Sequence, residues 1–159
     1  MSKSADPPPP HLPYFAYGAN LHIAQMRRRC PRSRPAGPAR LIDFALTIAL
    51  PKKNPPGPGW ATVSPRQGSA VPGALFHLHP DDLDALDDFE GWPDLYLREK
   101  RPVESGGEIR PALLYRMREP LRPARPSPAY AETLRTGYRD FTLPEEVLDA
   151  ALREAEAAG

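Results

Sequence analysis

The sequence has almost no cysteine: Cys30 is the single one among 159 residues. One cysteine excludes an internal disulfide and any paired-cysteine metal or redox motif. The four histidines, at positions 11, 22, 77 and 79, lack the spacing of zinc-binding motifs. We therefore predict that the protein holds no metal.

Long apolar runs are absent, and so is an excess of charge of one sign. A membrane-spanning helix needs about 20 apolar residues, but Pro, Arg or Asp interrupts the longest apolar stretches. The 21 basic and 20 acidic side chains argue against a nucleic-acid-binding charge pattern. The N-terminal MSKSADPPPPHLPYF has no apolar core of a secretion signal. These features predict a cytoplasmic protein that binds neither membranes nor nucleic acid.

Proline, in contrast, is abundant, with 23 residues. Because proline lacks an N–H donor and disfavours helix interiors, we expect short regular elements and many loops. Residues 1–12 are predicted to form a Pro-rich disordered tail, and residues 13–159 a single domain.

The hydrophobic pattern predicts more strands than helices, without a regular alternation of the two. The pattern predicts Asn20 as the N-cap of the first helix and Gly91 as the C-terminal cap of the second. This order favours an α+β domain or a small barrel flanked by helices. The predicted strands are 13–17, 40–50, 60–64, 72–78, 95–103 and 109–118, and the predicted helices are 21–30, 80–91, 129–141 and 143–157.

The first motif that carries chemistry is the tight turn from strand to helix at residues 17–21. Such a turn exposes backbone N–H groups that suit a carboxylate or phosphate. Taken alone, it is also typical of an ordinary strand–helix connection. Its residues are Tyr17, Gly18, Ala19, Asn20 and Leu21.

The second motif is Glu90 at the end of the acidic helix 80–91. The partial negative charge at a helix C-terminus disfavours a carboxylate, and Phe89 and Trp92 can supply an apolar wall. Both effects raise a carboxyl pKa toward the range useful for acid–base catalysis. The alternative interpretation is an exposed acid on a solvated helix face.

The third motif is Ser127-Pro128-Ala129-Tyr130, ahead of a predicted helix. Ser127 can cap that helix through its side-chain oxygen, and Pro128 suits the first helical position. Spacing alone leaves open whether Tyr130 lines a cleft or packs in the core.

In this order the three motifs resemble the γ-glutamylcyclotransferase-like, or AIG2-like, family. That family has a YGSN-type loop, a Glu-Gly after the mid-chain helix, and an SPxY segment followed by a helix ending near GLP. Gly137 and Leu143-Pro144 match the last feature, and Tyr96 and Tyr115 match tyrosines around the family's cavity. The resemblance covers roughly residues 13–152.

The resemblance implies a small mixed β-barrel with flanking helices and a cavity at the loop ends. It also implies cyclisation of a small γ-glutamyl substrate to 5-oxoproline, with release of the amine and without a metal or cofactor. Glu90 would then be the general acid and base, and residues 17–21 would hold the substrate carboxylate or the oxyanion. Tyr96, Tyr115 and Tyr130 would line the pocket. Apart from the resemblance, we expect loops such as 51–59 and 92–95 to form the acceptor side of the pocket, where the released amine lies.

One departure concerns substrate binding, because Ala19 stands where the family usually has serine. The YGANL loop also lacks the YGSLIW-like pattern of the glutathione-specific branch, which argues against intact glutathione. Other γ-glutamyl amides are alternative substrates. A non-catalytic member that binds a carboxylate metabolite or a protein is the alternative in another class.

Arg27, Arg28 and Arg29 are interpreted as a solvated helix face rather than a phosphate-binding patch.

Overall fold

A computed structural model gives the structure of the protein and describes residues 7–158. The first half of the predicted tail and Gly159 lie outside the described residues. Within the described part of the tail, a ring nitrogen of His11 lies 3.3 Å from the carbonyl oxygen of Arg32, and the first strand begins at Leu12. The division of the chain at residue 12 stays a prediction.

Residues 7–158 form six strands, four α-helices and two short 3₁₀ turns. The strands are β1 (Leu12–Ala16), β2 (Arg34–Pro51), β3 (Trp60–Leu78), β4 (Tyr96–Ser105), β5 (Glu108–Met117) and β6 (Leu121–Pro123). The helices are α1 (Ile23–Arg29), α2 (Leu83–Glu90), α3 (Pro128–Asp140) and α4 (Glu145–Ala158), and the 3₁₀ turns are Ala19–Leu21 and Pro80–Asp82.

Five strands close into a barrel in the order β3-β1-β5-β4-β2, because β2 also pairs with β3. The pairing of β1 with β5 is parallel and the other pairings are antiparallel, so the sheet is mixed. The short strand β6 adds to the end of β2 outside the ring. Closure leaves the five strands without a free edge, and the helices flank the ring. The predicted mixed barrel with flanking helices is confirmed.

The pairing of β2 with β3 is longer than the sequence pattern predicts. Strand β2 begins at Arg34, and the two predicted strands 60–64 and 72–78 are one continuous strand. The pattern suggested a break because Pro65 and Gly68 disfavour strand interiors. A bulge accommodates them: Asp43 takes φ 64°, and its carboxylate accepts a 3.0 Å hydrogen bond from the Gly68 amide.

Helix α3 holds the 3₁₀ turn 19–21 against the barrel. Gly137 packs on Leu21 so closely that a Cβ added there would lie 2.5 Å from the Leu21 Cβ. At the other end of the contact, the Asp140 carboxylate accepts a 3.0 Å hydrogen bond from the Ile23 amide. The turn is therefore fixed by both the strand before it and the helix beside it.

The core fills the barrel and the interface with the helices. Its largest fully buried side chains include Phe15, Leu41, Ile48, Phe76 and Tyr138. Within residues 7–158, every helix is too short or too polar to cross a lipid bilayer.

Candidate functional site

A cavity of about 330 Å³ opens at the end of the barrel where β1 and β5 end and β3 and β4 begin. Eight of the nine predicted site residues line it, which brings together segments more than 100 positions apart. They are Tyr17, Gly18, Ala19, Asn20, Glu90, Tyr96, Tyr115 and Tyr130.

Leu21 is the exception among the predicted site residues. Its side chain is fully buried in the core, and it does not line the cavity. Its amide donates a 3.0 Å hydrogen bond to the Gly18 carbonyl, which closes the 3₁₀ turn. A turn of this kind leaves only its first N–H groups without a helical partner, and these belong to Gly18, Ala19 and Asn20. We therefore leave Leu21 out of the site.

Glu90 is the last residue of α2 and, within residues 7–158, the single charged residue that lines the cavity. Gly91 ends the helix with φ 71°, and the Trp92 amide donates to the Asp87 carbonyl at 3.0 Å. This Gly-dependent cap ends the helix where the sequence predicted. Burial raises the pKa of the Glu90 carboxyl from its usual 4.5 to about 8, and the nearby Arg29 cation opposes that rise.

Asn20 contacts Glu90 directly, so its role differs from the predicted helix cap. Its side chain is buried, and Nδ2 donates to Oε2 of Glu90 at 3.1 Å and to the Tyr14 hydroxyl at 2.9 Å. The N-cap of α1 is His22 instead, whose Nδ1 accepts a 3.2 Å hydrogen bond from the Gln25 amide. Asn20 precedes the helix by too many residues to cap it, because a 3₁₀ turn intervenes.

Arg29 also departs from the prediction of a solvated arginine face. Arg27 and Arg28 are exposed, but the Arg29 guanidinium lies 3.3 Å from the centre of the Phe89 ring. Its NH1 donates a short hydrogen bond to Oδ1 of Asn20. The third arginine of the row therefore belongs to the surroundings of Glu90.

Three tyrosine hydroxyls of the cavity donate their protons to other groups of the protein. Tyr17 donates to the Tyr115 carbonyl at 2.5 Å, and Tyr96 donates to the Ala61 carbonyl at 2.6 Å. Tyr115 donates to Oδ1 of Asp87 at 2.6 Å. Their rings line the cavity while their protons tie neighbouring elements together.

Two other hydroxyls accept hydrogen bonds and so keep a proton to donate. Tyr130 accepts from the Ala61 amide at 2.9 Å, and Tyr14 accepts from Asn20. Burial raises the pKa of both hydroxyls above the usual value of 10.0, so both stay neutral at ordinary pH. Tyr130 and Tyr14 are the neutral O–H donors that the cavity offers to a bound molecule.

The sequence did not reveal five of the other lining residues, although it did suggest Phe89 as an apolar wall and a loop that includes Leu95. The five are Tyr14, Gln25, Trp60, Ala61 and Thr133. Thr133 could have been found, because it lies three residues after Tyr130 on the same face of α3. Trp92 is exposed and stacks under Arg98 instead of lining the cavity. Of the two loops expected at the amine end, Leu95 contributes and residues 51–59 do not.

Metal-ligating side chains do not cluster in the part of the chain that the structure describes. In residues 7–158, no group of three or more His, Cys, Asp or Glu residues could hold an ion. The chemistry that the cavity offers is one carboxyl group of raised pKa, neutral hydroxyl donors and backbone amides.

Comparison with known proteins places this arrangement in a family. The family described as "Gamma-glutamyl cyclotransferase, AIG2-like" matches residues 14–136. The γ-glutamylcyclotransferase of Homo sapiens is 30% identical over 139 residues, which cover 84% of this chain and 73% of the human protein. That of Bos taurus shows the same identity and the same coverage.

The fold agrees with these matches. A solved structure of a γ-glutamyl cyclotransferase superimposes with a TM-score of 0.78 at 26% identity, covering 93% of this chain and 88% of that one. The family match, the relatives and the fold span the barrel together with the loop and helix ends that form the cavity. The chain therefore belongs to the AIG2-like γ-glutamylcyclotransferase family and is a cyclotransferase enzyme.

Proposed function

We propose that this enzyme converts a γ-glutamyl amine or γ-glutamyl amino acid into 5-oxoproline and the free amine, with Glu90 as general acid and base. The observation that carries the proposal is the position of Glu90. Among the described residues, it is the one charged residue that lines a cavity of about 330 Å³, and burial raises its pKa to about 8.

The reaction needs no nucleophile from the protein. The α-amine nitrogen of the substrate attacks its own γ-carbonyl carbon, a C–N bond closes the five-membered ring, and the original amide C–N bond breaks. The contribution of the enzyme is to hold a folded conformer, since orientation of this kind can supply several kcal/mol of the barrier. A cavity lined by fixed aromatic rings suits that task.

Proton transfer is the part that requires a side chain. The attacking ammonium must lose a proton, and the departing amine must gain one. A carboxyl group with a pKa near the working pH can do both in turn. The raised pKa of Glu90 supports this role, because an exposed glutamate would be too weak a base and too seldom protonated.

Substrate binding is assigned to the turn after β1 and to neighbouring residues. The amides of Gly18, Ala19 and Asn20 point from the first turn of a 3₁₀ segment, which suits a carboxylate or a developing oxyanion. The Tyr130 hydroxyl accepts a hydrogen bond from the Ala61 amide, so its own proton is free to bind the substrate. This hydroxyl lies beside Gly18. Tyr17, Tyr96 and Tyr115 form the walls.

The test is 5-oxoproline release from a panel of γ-glutamyl amino acids, γ-glutamyl amines and glutathione. Wild type is compared with Glu90→Gln, which keeps the shape of the side chain and removes proton exchange. Asp88→Asn on the same helix is the matched control, because Asp88 is exposed.

We expect wild type and Asp88→Asn to turn over the same panel members, and Glu90→Gln to lose at least ~10²-fold in kcat. A Glu90→Gln variant with wild-type activity would remove Glu90 from the chemistry. No turnover of any panel member by wild type would contradict the assigned substrate class.

A further inference from the structure

The position of Arg29 raises a question, because its neighbours Arg27 and Arg28 point to solvent. Its guanidinium is held on two sides, by the ring of Phe89 at 3.3 Å and by Oδ1 of Asn20. Phe89 is adjacent to Glu90 in the chain, and Asn20 is hydrogen-bonded to it. Arg29 thus contacts both of the residues that flank the Glu90 carboxyl but does not itself line the cavity.

The chemistry of the guanidinium fixes the orientation of the Asn20 amide. Arginine carries five N–H donors and no acceptor, so only the amide oxygen of Asn20 can face it. The amide nitrogen must then face the other way, toward Glu90 and Tyr14, where the structure places it. Without a donor at Arg29, the amide could turn over and present its oxygen to the Glu90 carboxyl.

This orientation makes the two oxygens of Glu90 unequal. Oε2 accepts the N–H of Asn20 at 3.1 Å, and an oxygen in that position is the less favourable place for the acid proton. We therefore expect the acid proton on Oε1. If Oε2 stays bound to Asn20 and Oε1 exchanges the proton, the carboxyl group does not need to rotate between accepting a proton and donating it.

We propose that Arg29 is a positioning residue that fixes the Asn20 amide, so that Oε2 of Glu90 is held and Oε1 exchanges protons with the substrate. The inference rests on the proposed function of Glu90. It adds a residue outside the cavity on which the rate depends.

The charged and titratable groups around Glu90 determine how the loss of Arg29 changes the pH titration of the Glu90 carboxyl. Arg29 on α1 is the cation, and Asp87 lies one turn earlier on α2 itself. In the part of the chain that the structure describes, the other titratable groups of the cavity are the neutral hydroxyls of Tyr14, Tyr17, Tyr96, Tyr115 and Tyr130. A cation favours the carboxylate, so loss of the Arg29 charge raises the pKa of Glu90.

The test compares Arg29→Met and Arg29→Leu, which remove both the charge and the N–H donor, with Arg29→Lys, which keeps a charged donor. Arg27→Met is the control, since it removes an exposed arginine of the same helix. Two quantities are measured: steady-state kinetics across pH, and the Glu90 titration in the substrate-free protein. Carboxyl-labelled ¹³C NMR follows that titration, with Glu90→Gln used to assign the signal.

For both neutral variants we expect kcat to fall at least ~10-fold with KM within about 3-fold, as for a misplaced catalytic group. The acidic limb of the kcat profile and the NMR midpoint should both move to higher pH. Arg29→Lys should recover most of both changes, and Arg27→Met should match wild type. If Arg29→Met fails to fold, Arg29→Leu carries the same test, because it also lacks a charge and a donor.

An unchanged kcat and an unchanged NMR midpoint in a folded neutral variant would overturn the inference while leaving the proposed function intact. A wild type without activity on the panel would instead contradict the proposed function. The NMR midpoint would then still decide whether Arg29 controls the Glu90 carboxyl.

Discussion

The hydroxyl of Tyr115 on β5 donates a 2.6 Å hydrogen bond to Oδ1 of Asp87 on α2. Asp87 is buried, and its other oxygen lies 3.5 Å from the guanidinium of Arg98 on β4. One carboxylate thus ties α2 to two strands of the barrel. Because Glu90 follows one turn later on the same helix face, this tie also sets the position of the Glu90 carboxyl.

Tyr115→Phe is expected to destabilise the protein by about 1–3 kcal/mol, because it leaves a buried carboxylate short of one donor. Urea unfolding measures the loss. Tyr138→Phe is the matched control: Tyr138 is fully buried, and its hydroxyl has no hydrogen-bond partner within residues 7–158. It should be neutral or stabilising, and equal losses in the two variants would mean that the bond to Asp87 contributes nothing specific.

Glu90 should lower the stability of the fold at alkaline pH. Its pKa is about 8 in the folded protein against a usual 4.5, so the folded state retains a proton that the unfolded state releases. The stability that this proton gives is complete below pH 4.5 and is lost as the pH rises through about 8. The free energy of unfolding should fall by at most roughly 5 kcal/mol over this pH range, because each tenfold change in proton affinity is worth about 1.4 kcal/mol.

Glu90→Gln removes that dependence. We expect the stability of this variant relative to wild type to increase between pH 5 and pH 9 in denaturant unfolding experiments. Asp88→Asn should show no such trend, since Asp88 is exposed on the same helix. Parallel curves for Glu90→Gln and wild type would contradict the raised pKa.

Gly137→Ala tests the close packing of α3 on the turn that carries Gly18 and Asn20. The new Cβ would lie 2.5 Å from the Leu21 Cβ and 2.9 Å from the Leu21 carbonyl carbon, so backbone must move. Alanine favours a helix by about 1 kcal/mol, but overpacking costs about 1–3 kcal/mol or more, and we expect a net loss of about 2 kcal/mol.

The same change should reduce kcat/KM by more than ~10-fold, because the turn shifts relative to Glu90. Thermal unfolding and 5-oxoproline release are the measurements. Gly57→Ala is the control, since a Cβ there meets no atom within 4 Å. If Gly137→Ala keeps wild-type stability and activity, the close packing of α3 on the turn is not required for either property.

Ala19→Ser adds the hydroxyl that this loop lacks. Ala19 lines the cavity, so the hydroxyl would reach the space assigned to the substrate carboxylate. A neutral hydrogen bond contributes about 0.5–1.5 kcal/mol, so we expect KM to fall by about 2- to 10-fold with little change in kcat. An unchanged or higher KM would indicate that backbone amides alone hold the carboxylate in this protein.

The helix caps at Ser127 and Gly91 could be predicted from the sequence, because each depends only on residues a few positions away. Ser127 caps α3 by accepting a 3.1 Å hydrogen bond from the Tyr130 amide, as predicted. Gly91 ends α2 immediately after Glu90, also as predicted. These features were readable because each depends on residues a few positions apart, where residue type largely fixes backbone geometry.

Long-range contacts were not readable in the same way. Asn20 looked like a helix cap, and Arg29 like one more exposed arginine, because local pattern gives neither the extra 3₁₀ turn nor the approach of α2. The tyrosines named from the sequence line the cavity, but which of their hydroxyls keep a free proton depends on partners such as Asp87 and Ala61.

The order of the motifs, the caps at Ser127 and Gly91 and the candidate acid Glu90 could all be read from the amino-acid sequence alone. Tertiary packing set the closure of the barrel, the burial that raises the pKa of Glu90, and the contact of Glu90 with Asn20 across 70 positions. Caps and turns are set by neighbouring residues, whereas desolvation and side-chain hydrogen bonds arise only when distant segments pack together.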